Sequence, residues 1–344
     1  MSTQAISSQS TEAPIEQSFL QMFSSYWVSQ AIYVAAKLGI ADLLAEGPKK
    51  VAELAAATQT HPASLYRLLR ALTSAGIFTE CEDTEFSLTP MAALLQKGAG
   101  SMRSMVLHMC ETPSWHAWGE LLHSVTTGET AFIKANGSEV FPYYVEHPES
   151  KEPFDQAMTE LSEAMSQAVT KAYDFSRFKK IIDIGGGHAG LLSSILNANP
   201  NPSGVVFDMP QTIEGAKQRL AAEGLQSRCE VVGGDFFQEV PIGGDVYILK
   251  FIIHDWDEER ALAILKNIHR AMPDGGKLLL VESLVPEANE PSFSKFFDVH
   301  MMVMTGGRER TATEYAALFA AAGFKFNKVT PTESLISIIE ADKA

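Results

Sequence analysis

KKIIDIGGGHAGLLSSILNANP, Lys179–Pro200, is the stretch on which the fold turns. KKIIDIGGG reads as a strand running into glycines, and HAGLLSSILNANP reads as the helix that follows. Gly185, Gly187 and Gly190 fit G-x-G-x-x-G at the junction. Strand, glycine turn and helix in that order form the first βα step of a doubly wound sheet.

Toward the C-terminus the alternation continues. GVVFDM is a strand, QTIEGAKQRLAAEG a helix, and CEVVGGDFF a strand with its exit loop. DVYILKFIIHDW reads as one long strand, DEERALAILKNIHRAM as a helix opened by Asp257, and GGKLLLVESLVP as a fifth strand. Near-continuous Ile/Val/Leu runs mark strands covered on both faces, hence a parallel sheet between helices. FKFNKVTPT and SLISIIEA lie too close together for a crossover helix, so they are expected to close the sheet as an antiparallel hairpin.

Toward the N-terminus the pattern is helical. Residues 100–175 are rich in methionine and aromatics: Met102, Met105, His108, Met109, Trp115, Trp118, the FPYY of 141–144, Phe154 and Met158. Any one of these is ordinary core. Together they suit a soft lining for a flat apolar ligand. Within Phe19–Ile40 the apolar residues recur at mixed steps of three and four. A face that broad needs more cover than a small domain supplies, and points to contact with a partner chain. VAELAAATQTHPASLYRLLRALTSAGIF reads as helix, turn, helix, with Thr60 expected as a cap, Pro62 early in the second helix and Gly76 at its end. TECEDTEFSLTP then outlines a two-stranded wing.

A winged helix raises the possibility of a transcription factor. Residues 48–90 carry Lys49, Lys50, Arg67 and Arg70 against Glu53, Glu80, Glu82, Asp83 and Glu85, so the basic face of a DNA reader is missing. The whole chain of 344 residues has a formal net charge of -15, which opposes binding to phosphate backbones and anionic lipid. It holds no apolar tract of membrane-spanning length. The first fourteen residues, without a basic start or apolar run, read as a polar disordered tail and not as a secretory signal. Cys81, Cys110 and Cys229 are scattered, consistent with a reducing cytoplasm.

The chemistry gathers at the expected C-terminal rim of the sheet, where open α/β sheets bind ligands. Asp208 ends the second strand, where its carboxylate can accept from ribose hydroxyls. These features alone fit a nicotinamide cofactor as well as S-adenosylmethionine. Asp235, in GGDFF, could hold an adenine amino group with Phe236 stacked nearby, and the terminal hairpin departs from the all-parallel dinucleotide fold. Both favour the methyl donor. His254 lies at the next strand exit. Histidine titrates near neutrality and a phenol near about 10, so His254 can take the phenolic proton as the oxygen attacks a methyl-sulfonium. Glu282, at the fifth exit, and Glu309, in GGRER, could orient the imidazole and stabilise the imidazolium. Asp255 and Asp257 receive no chemical role, Asp257 being expected as a helix cap. No His/Asp/Glu cluster has metal-ligand spacing along the chain, so no metal is expected.

DIGGGHAG, VVFDMP, GGDFF, ILKFIIHDWDEE, LLVESLVP and GGRERTATEY, in that order, resemble the plant caffeate-type and bacterial antibiotic-pathway O-methyltransferases from about residue 16 onward. The resemblance implies a winged-helix dimerisation domain (15–100) after the tail (1–14), a helical linker lining the substrate pocket (101–175), and a Rossmann-like methyltransferase domain (176–344). It implies a homodimer built through the N-terminal helices, while the cysteine usage and charge balance give the expectation of a cytoplasmic chain with no nucleic-acid or membrane partner. It assigns S-adenosylmethionine contacts to Gly185, Gly187, Asp208, Asp235, Phe236 and Lys250, the base to His254, and its flanking acids to Glu282 and Glu309. Phe154, Met158, His108, Met109 and Met304 fall at substrate-lining positions. Two departures stand out. His188 replaces the usual Thr or Ser of the glycine turn. Met304 and Thr305 stand where phenylpropanoid enzymes carry Asn-Pro, which favours an aromatic polyketide, quinone or similar bacterial metabolite as acceptor. The rival expectations are a non-methylating enzyme of this fold, an N- or C-methyltransferase, and a ligand-binding regulator.

Overall fold

Apolar spacing builds two different kinds of core along this chain. The computed structural model describes residues 14–98 and 100–344, and its contacts divide the chain into two compact units, Met1–Glu111 and Thr112–Ala344. The expected tail lies outside the described residues, Pro14 apart.

In the first unit, helices Ile15–Lys37, Val51–Thr58 and Pro62–Thr73 pack with three short strands, β1 (Lys49–Lys50), β2 (Phe78–Glu80) and β3 (Glu85–Leu88). Leu65, Leu69 and Leu72, spaced by four and three, bury one stripe of the Pro62–Thr73 helix beside Leu54, Phe78 and Phe86. The two-stranded wing gains a third strand, since β1 pairs with β3 and sets Lys50 opposite Glu85. Two lysines carry no apolar alternation, so that strand left no signal in the pattern. The helix cap also differs from expectation. His61, not Thr60, accepts the Ser64 amide, while the Thr60 hydroxyl lies 2.9 Å from that of Thr58. Along Ile15–Lys37 only Ala35 and Ala36 are buried, and Phe19 and Trp27 stay 64% and 61% exposed. Among the described residues the broad apolar face therefore stays largely uncovered within its own unit.

The second unit is built on a seven-stranded sheet: β4 (Lys180–Ile184), β5 (Ser203–Asp208), β6 (Cys229–Gly233), β7 (Val246–Lys250), β8 (Lys277–Glu282), β9 (Phe324–Pro331) and β10 (Ser337–Lys343), in the order β6-β5-β4-β7-β8-β10-β9. The first five of that order are mutually parallel. The terminal hairpin is antiparallel, as expected, but β10 inserts between β8 and β9. Alternation along each strand sends Ile181, Ile248 and Leu279 to one face, against the helices Gly190–Ala198 and Pro148–Ala172. Ile182, Tyr247 and Leu280 go to the other, against Glu258–Ala271 and Ala312–Ala321. Each fully buried Ile or Leu contributes about 1.5–3 kcal/mol of transfer free energy.

One strand is shorter than its apolar run. β7 ends at Lys250, because Phe251 takes a φ of 54° and turns the chain out of the sheet. Ile253–Asp255 then forms a single tight helical turn. His254 thus stands on a loop beyond the strand and not on its last residue.

Candidate active site

The glycine turn shows why its residues are small. Gly185 and Gly187 have φ of 69° and 56°, a region that strains residues with a Cβ. A Cβ on Gly185 would also stand 2.4 Å from Ile252 and 3.9 Å from Phe236, so the turn, the β7 exit and Phe236 converge there. The Gly187 amide donates to Asp208 Oδ2 at 2.8 Å and the Met209 amide to Oδ1 at 2.7 Å. Burial pushes the Asp208 carboxyl up, while these amides, the Thr212 hydroxyl and His188 oppose the rise. The donors already tie the carboxylate to the turn it serves. Asp235 is exposed and accepts the Phe237 amide at 2.9 Å, and Phe236 packs edge-on against Phe237 and Trp256.

Beneath the turn lies a residue that sequence reasoning passed over. Asp183 is buried in β4, and a Cβ on Gly186 would sit 2.9 Å from its carboxyl carbon. Burial raises its pKa and Lys250 opposes the rise. Burial lowers the Lys250 ammonium in turn, against the pull of Asp183 and Glu282. Lys250 donates to the hydroxyl of Ser162, from the Pro148–Ala172 helix. An acid inside an apolar strand pattern was the available signal for Asp183. Ser162 had none, because its role depends on where its helix packs.

A second cluster unites the other predicted residues. His254 Nδ1 is 2.6 Å from Glu309 Oε1 and 3.6 Å from Glu282 Oε2, and all three side chains are buried. The two acids hold different things. Glu309 takes the hydrogen bond of the imidazole, while Glu282 Oε1 accepts the amides of Ile252 and Ile253 at 3.2 and 3.0 Å and so anchors the loop. Asp255 Oδ1 lies 3.7 Å from Nε2. Burial alone lowers a histidine pKa. Here Glu282, Asp255 and Glu309 outweigh it and push His254 up to about 10. Burial pushes Asp255 up to about 6, with His254 opposing and Glu309 adding to the rise. Glu282 also moves up, mainly by burial.

The GGRER segment fits this loop backbone to backbone. A Cβ on Gly307 would stand 1.9 Å from the His254 carbonyl oxygen, and the Arg308 amide donates to that oxygen at 2.8 Å. Arg310, fully buried, extends its guanidinium to the Ile253 carbonyl at 3.4 Å and to Glu258 at 3.2 Å. Asp298 accepts the Glu309 amide at 2.8 Å. Neither Arg310 nor Asp298 could be singled out from spacing, since each acts on a segment distant in sequence. Asp257 caps its helix through the Arg260 amide, as expected. The ligand atoms of His254, Glu282 and Glu309 lie within 4.8 Å of one another. The ground for expecting no metal was linear spacing, and folding removes that ground by grouping residues 27 and more apart.

Phe154 and Met158 lie one turn apart on the Pro148–Ala172 helix, both half-buried. Phe154 stacks on Tyr144 with centroids 4.8 Å apart, and buried Met304 belongs to the same apolar cluster. Phe141 joins that cluster to Trp256, just past the His254 loop, at 6.2 Å. His108 and Met109 belong to the first unit, in the helix Arg103–Cys110. Among the described residues no helix is long and apolar enough to cross a membrane.

Comparison with known proteins identifies the family. Residues 118–325 match the O-methyltransferase domain family, and residues 20–98 match the O-methyltransferase dimerisation domain. The chain is 50% identical to the phenazine O-methyltransferase PhzM of Lysobacter antibioticus, over 95% of this chain and 96% of that one. It is 33% identical to the phenazine-1-carboxylate N-methyltransferase of Pseudomonas aeruginosa, over 94% and 96% of the two chains. A crystal structure of an O-methyltransferase from neocarzinostatin biosynthesis, in complex with S-adenosylmethionine and 2-hydroxy-5-methyl naphthoic acid, superposes with a TM-score of 0.82 at 32% identity, over 92% and 96% of the chains. A glycine cradle closed by Asp208, a proton-holding histidine at the next rim and these likenesses converge: the chain belongs to the O-methyltransferase family and is an S-adenosylmethionine-dependent methyltransferase.

Proposed function

We propose that this enzyme methylates a hydroxyl group of a small, flat aromatic metabolite, with His254 as the general base. The carrying observation is the 2.6 Å contact between His254 Nδ1 and Glu309. A neutral imidazole that donates from Nδ1 keeps its lone pair on Nε2, the atom left to take a proton. S-adenosylmethionine, when bound, supplies a methyl group on a sulfonium, and Gly185, Gly187, Asp208, Asp235, Phe236 and Lys250 are the residues proposed to hold it. The acceptor hydroxyl must lose its proton as its oxygen attacks. His254 takes that proton, and the carboxylates of Glu309, Glu282 and Asp255 stabilise the resulting imidazolium.

The raised pKa sharpens this role. At neutral pH the resting imidazole is mostly protonated, so the reactive complex holds one proton fewer than the resting site with a bound phenol. That complex is neutral imidazole with phenol or, equivalently, imidazolium with phenolate. A base with a pKa of about 10 is matched to a phenol of about 10, so the transfer costs little once the extra proton has left.

The substrate class follows from the apolar lining proposed for Phe154, Met158 and Met304. We assign the exposed face of Ile15–Lys37 to a homodimer, which light scattering across a dilution series tests. The relative that methylates nitrogen favours a second reading, in which a ring nitrogen attacks and no base is needed. Turnover with labelled S-adenosylmethionine against a panel of hydroxy- and N-heteroaromatics separates the two. O-methyl products that vanish in His254→Ala support the proposal. N-methyl products at unchanged rate in that variant sink it.

A further inference from the structure

Among the described residues the largest fully buried side chain belongs to an arginine, Arg310, which is 1% exposed. A guanidinium taken out of water must recover its lost hydration from partners. Its ion-pair partner, Glu258 at 3.2 Å from Nη2, is 61% exposed, so solvent screens the pair. The other bonds go to backbone carbonyls: Nη1 to Ile253 and to Arg308, both at 3.4 Å, and Nη2 to Trp256 at 3.5 Å. An apolar side chain would fill this space with less desolvation, so stability alone does not account for an arginine here.

The choice of carbonyls does account for it. Ile253 and Arg308 immediately precede His254 and Glu309, so a single nitrogen, Nη1, holds the peptides that lead into both partners of the 2.6 Å contact. Trp256 lies on the other side of the tight turn Ile253–Asp255. The guanidinium carbon stands 5.9 Å over the ring of Tyr315, itself fully buried. Burial, Glu282 and Glu309 push that phenol up and Arg310 opposes them, so the cation and the two acids act on one hydroxyl. We infer that Arg310 is a positioning residue, whose fork clamps the His254 turn to the GGRER segment and keeps the imidazole and Glu309 in register for proton transfer. It acts through the two backbones and not on the reacting atoms. A lysine ammonium, a point charge on a flexible stem, cannot present several donors in one fixed plane to the same carbonyls. The inference deepens the proposed role of His254 as base and rests on it for the kinetic consequence; the clamp itself can be read without methyl transfer.

The test uses Arg310→Met, which fills the space without donors, and Arg310→Lys, which keeps the charge without the fork. In both, S-adenosylhomocysteine binding by calorimetry and KM for the acceptor should stay within about twofold. kcat should fall about 10²-fold in Arg310→Met and about tenfold in Arg310→Lys. The direct readout is the hydrogen bond between His254 and Glu309. It is expected to give a far-downfield ring-proton resonance in wild type, identified by its absence in His254→Gln, and to be lost or shifted upfield in Arg310→Met. If Arg310→Met does not fold, Arg310→Lys carries the same comparison. An unchanged resonance or an unchanged kcat would overturn the inference. So would a loss of kcat matched by an equal loss of S-adenosylhomocysteine binding, which is the mark of a merely structural arginine. A resonance displaced by Arg310→Met, in an enzyme whose wild type O-methylates no acceptor, would keep the clamp and sink the O-methylation reading instead.

Discussion

Two buried charge clusters occupy neighbouring exits of one sheet, and they are charged differently. At the β4 exit one carboxylate, Asp183, faces one ammonium, Lys250, and each opposes the burial shift of the other. At the β7 and β8 exits three carboxylates surround a single imidazole. The first cluster is balanced and gives a polar floor to the glycine turn without storing charge. The second has an excess of negative charge in a place where water is scarce, and it answers by holding protons. Burial is common to both. What separates a supporting pair from a proton-handling centre is the count of opposite charges.

That contrast can be broken experimentally. The largest effect is expected from His254→Ala, which should lower kcat by about 10²–10⁴ while S-adenosylhomocysteine still binds, as calorimetry can read. Normal kcat in that variant would remove the base from the second cluster altogether. Glu309→Gln keeps the shape and removes one of the three negative charges. Loss of a charge-assisted hydrogen bond predicts a fall in kcat of about ten- to a hundredfold, with a lower apparent pKa for His254.

The pH profile follows from the same charges. His254 has a folded-state pKa of about 10 against an unperturbed 6.5. The unprotonated form becomes commoner as pH rises, so kcat/KM should climb about tenfold per unit until pH approaches 10 and not level off above 6.5. The stability consequence has a definite sign. The folded state binds the extra proton, so the stabilisation is fully present below pH 6.5 and is lost as pH rises through about 10. Melting temperatures of wild type should therefore decline across that window more steeply than those of His254→Gln. A rate plateau near neutrality would show that the carboxylates do not act on the histidine as described.

Smaller effects are expected at the balanced cluster. Lys250→Met should weaken S-adenosylhomocysteine binding about tenfold by calorimetry, with little change in the pH dependence of the catalytic step. Smallest is Asp257→Ala, which removes the helix cap just after the His254 loop and should cost about 1 kcal/mol, read as a melting-temperature drop of about 2–4 °C. Because Glu282 and Arg310 hold that loop independently, kcat should change little.

Much of this was legible in the linear pattern, for a definite reason. Strands, glycine turn and following helices are local features, so KKIIDIGGG and its successors announce the sheet and place Gly185, Asp208, Asp235 and His254 near one rim. The places where the reading strayed are those where local propensity lost to a distant partner. FIIHDW reads as strand, yet Phe251 leaves the sheet because Glu282 captures the next amides and Gly307 packs on the His254 carbonyl. Lys49-Lys50 becomes a strand because β3 is there to pair with it. Asp183 looked like part of a strand pattern until its burial beneath Gly186 was visible.

The sequence by itself determined the fold class and, through its motif series, the family, because strand and helix periodicity and side-chain chemistry belong to short segments. Only the tertiary structure decided how those residues behave. It brought Glu282 and Glu309 to His254 from 28 and 55 positions away, gave one the loop backbone and the other the ring, and set Arg310 against the carbonyls of Ile253 and Trp256. A pKa or a fixed tautomer is a property of neighbours at a few ångströms, and the order of residues along a chain does not specify which neighbours those are.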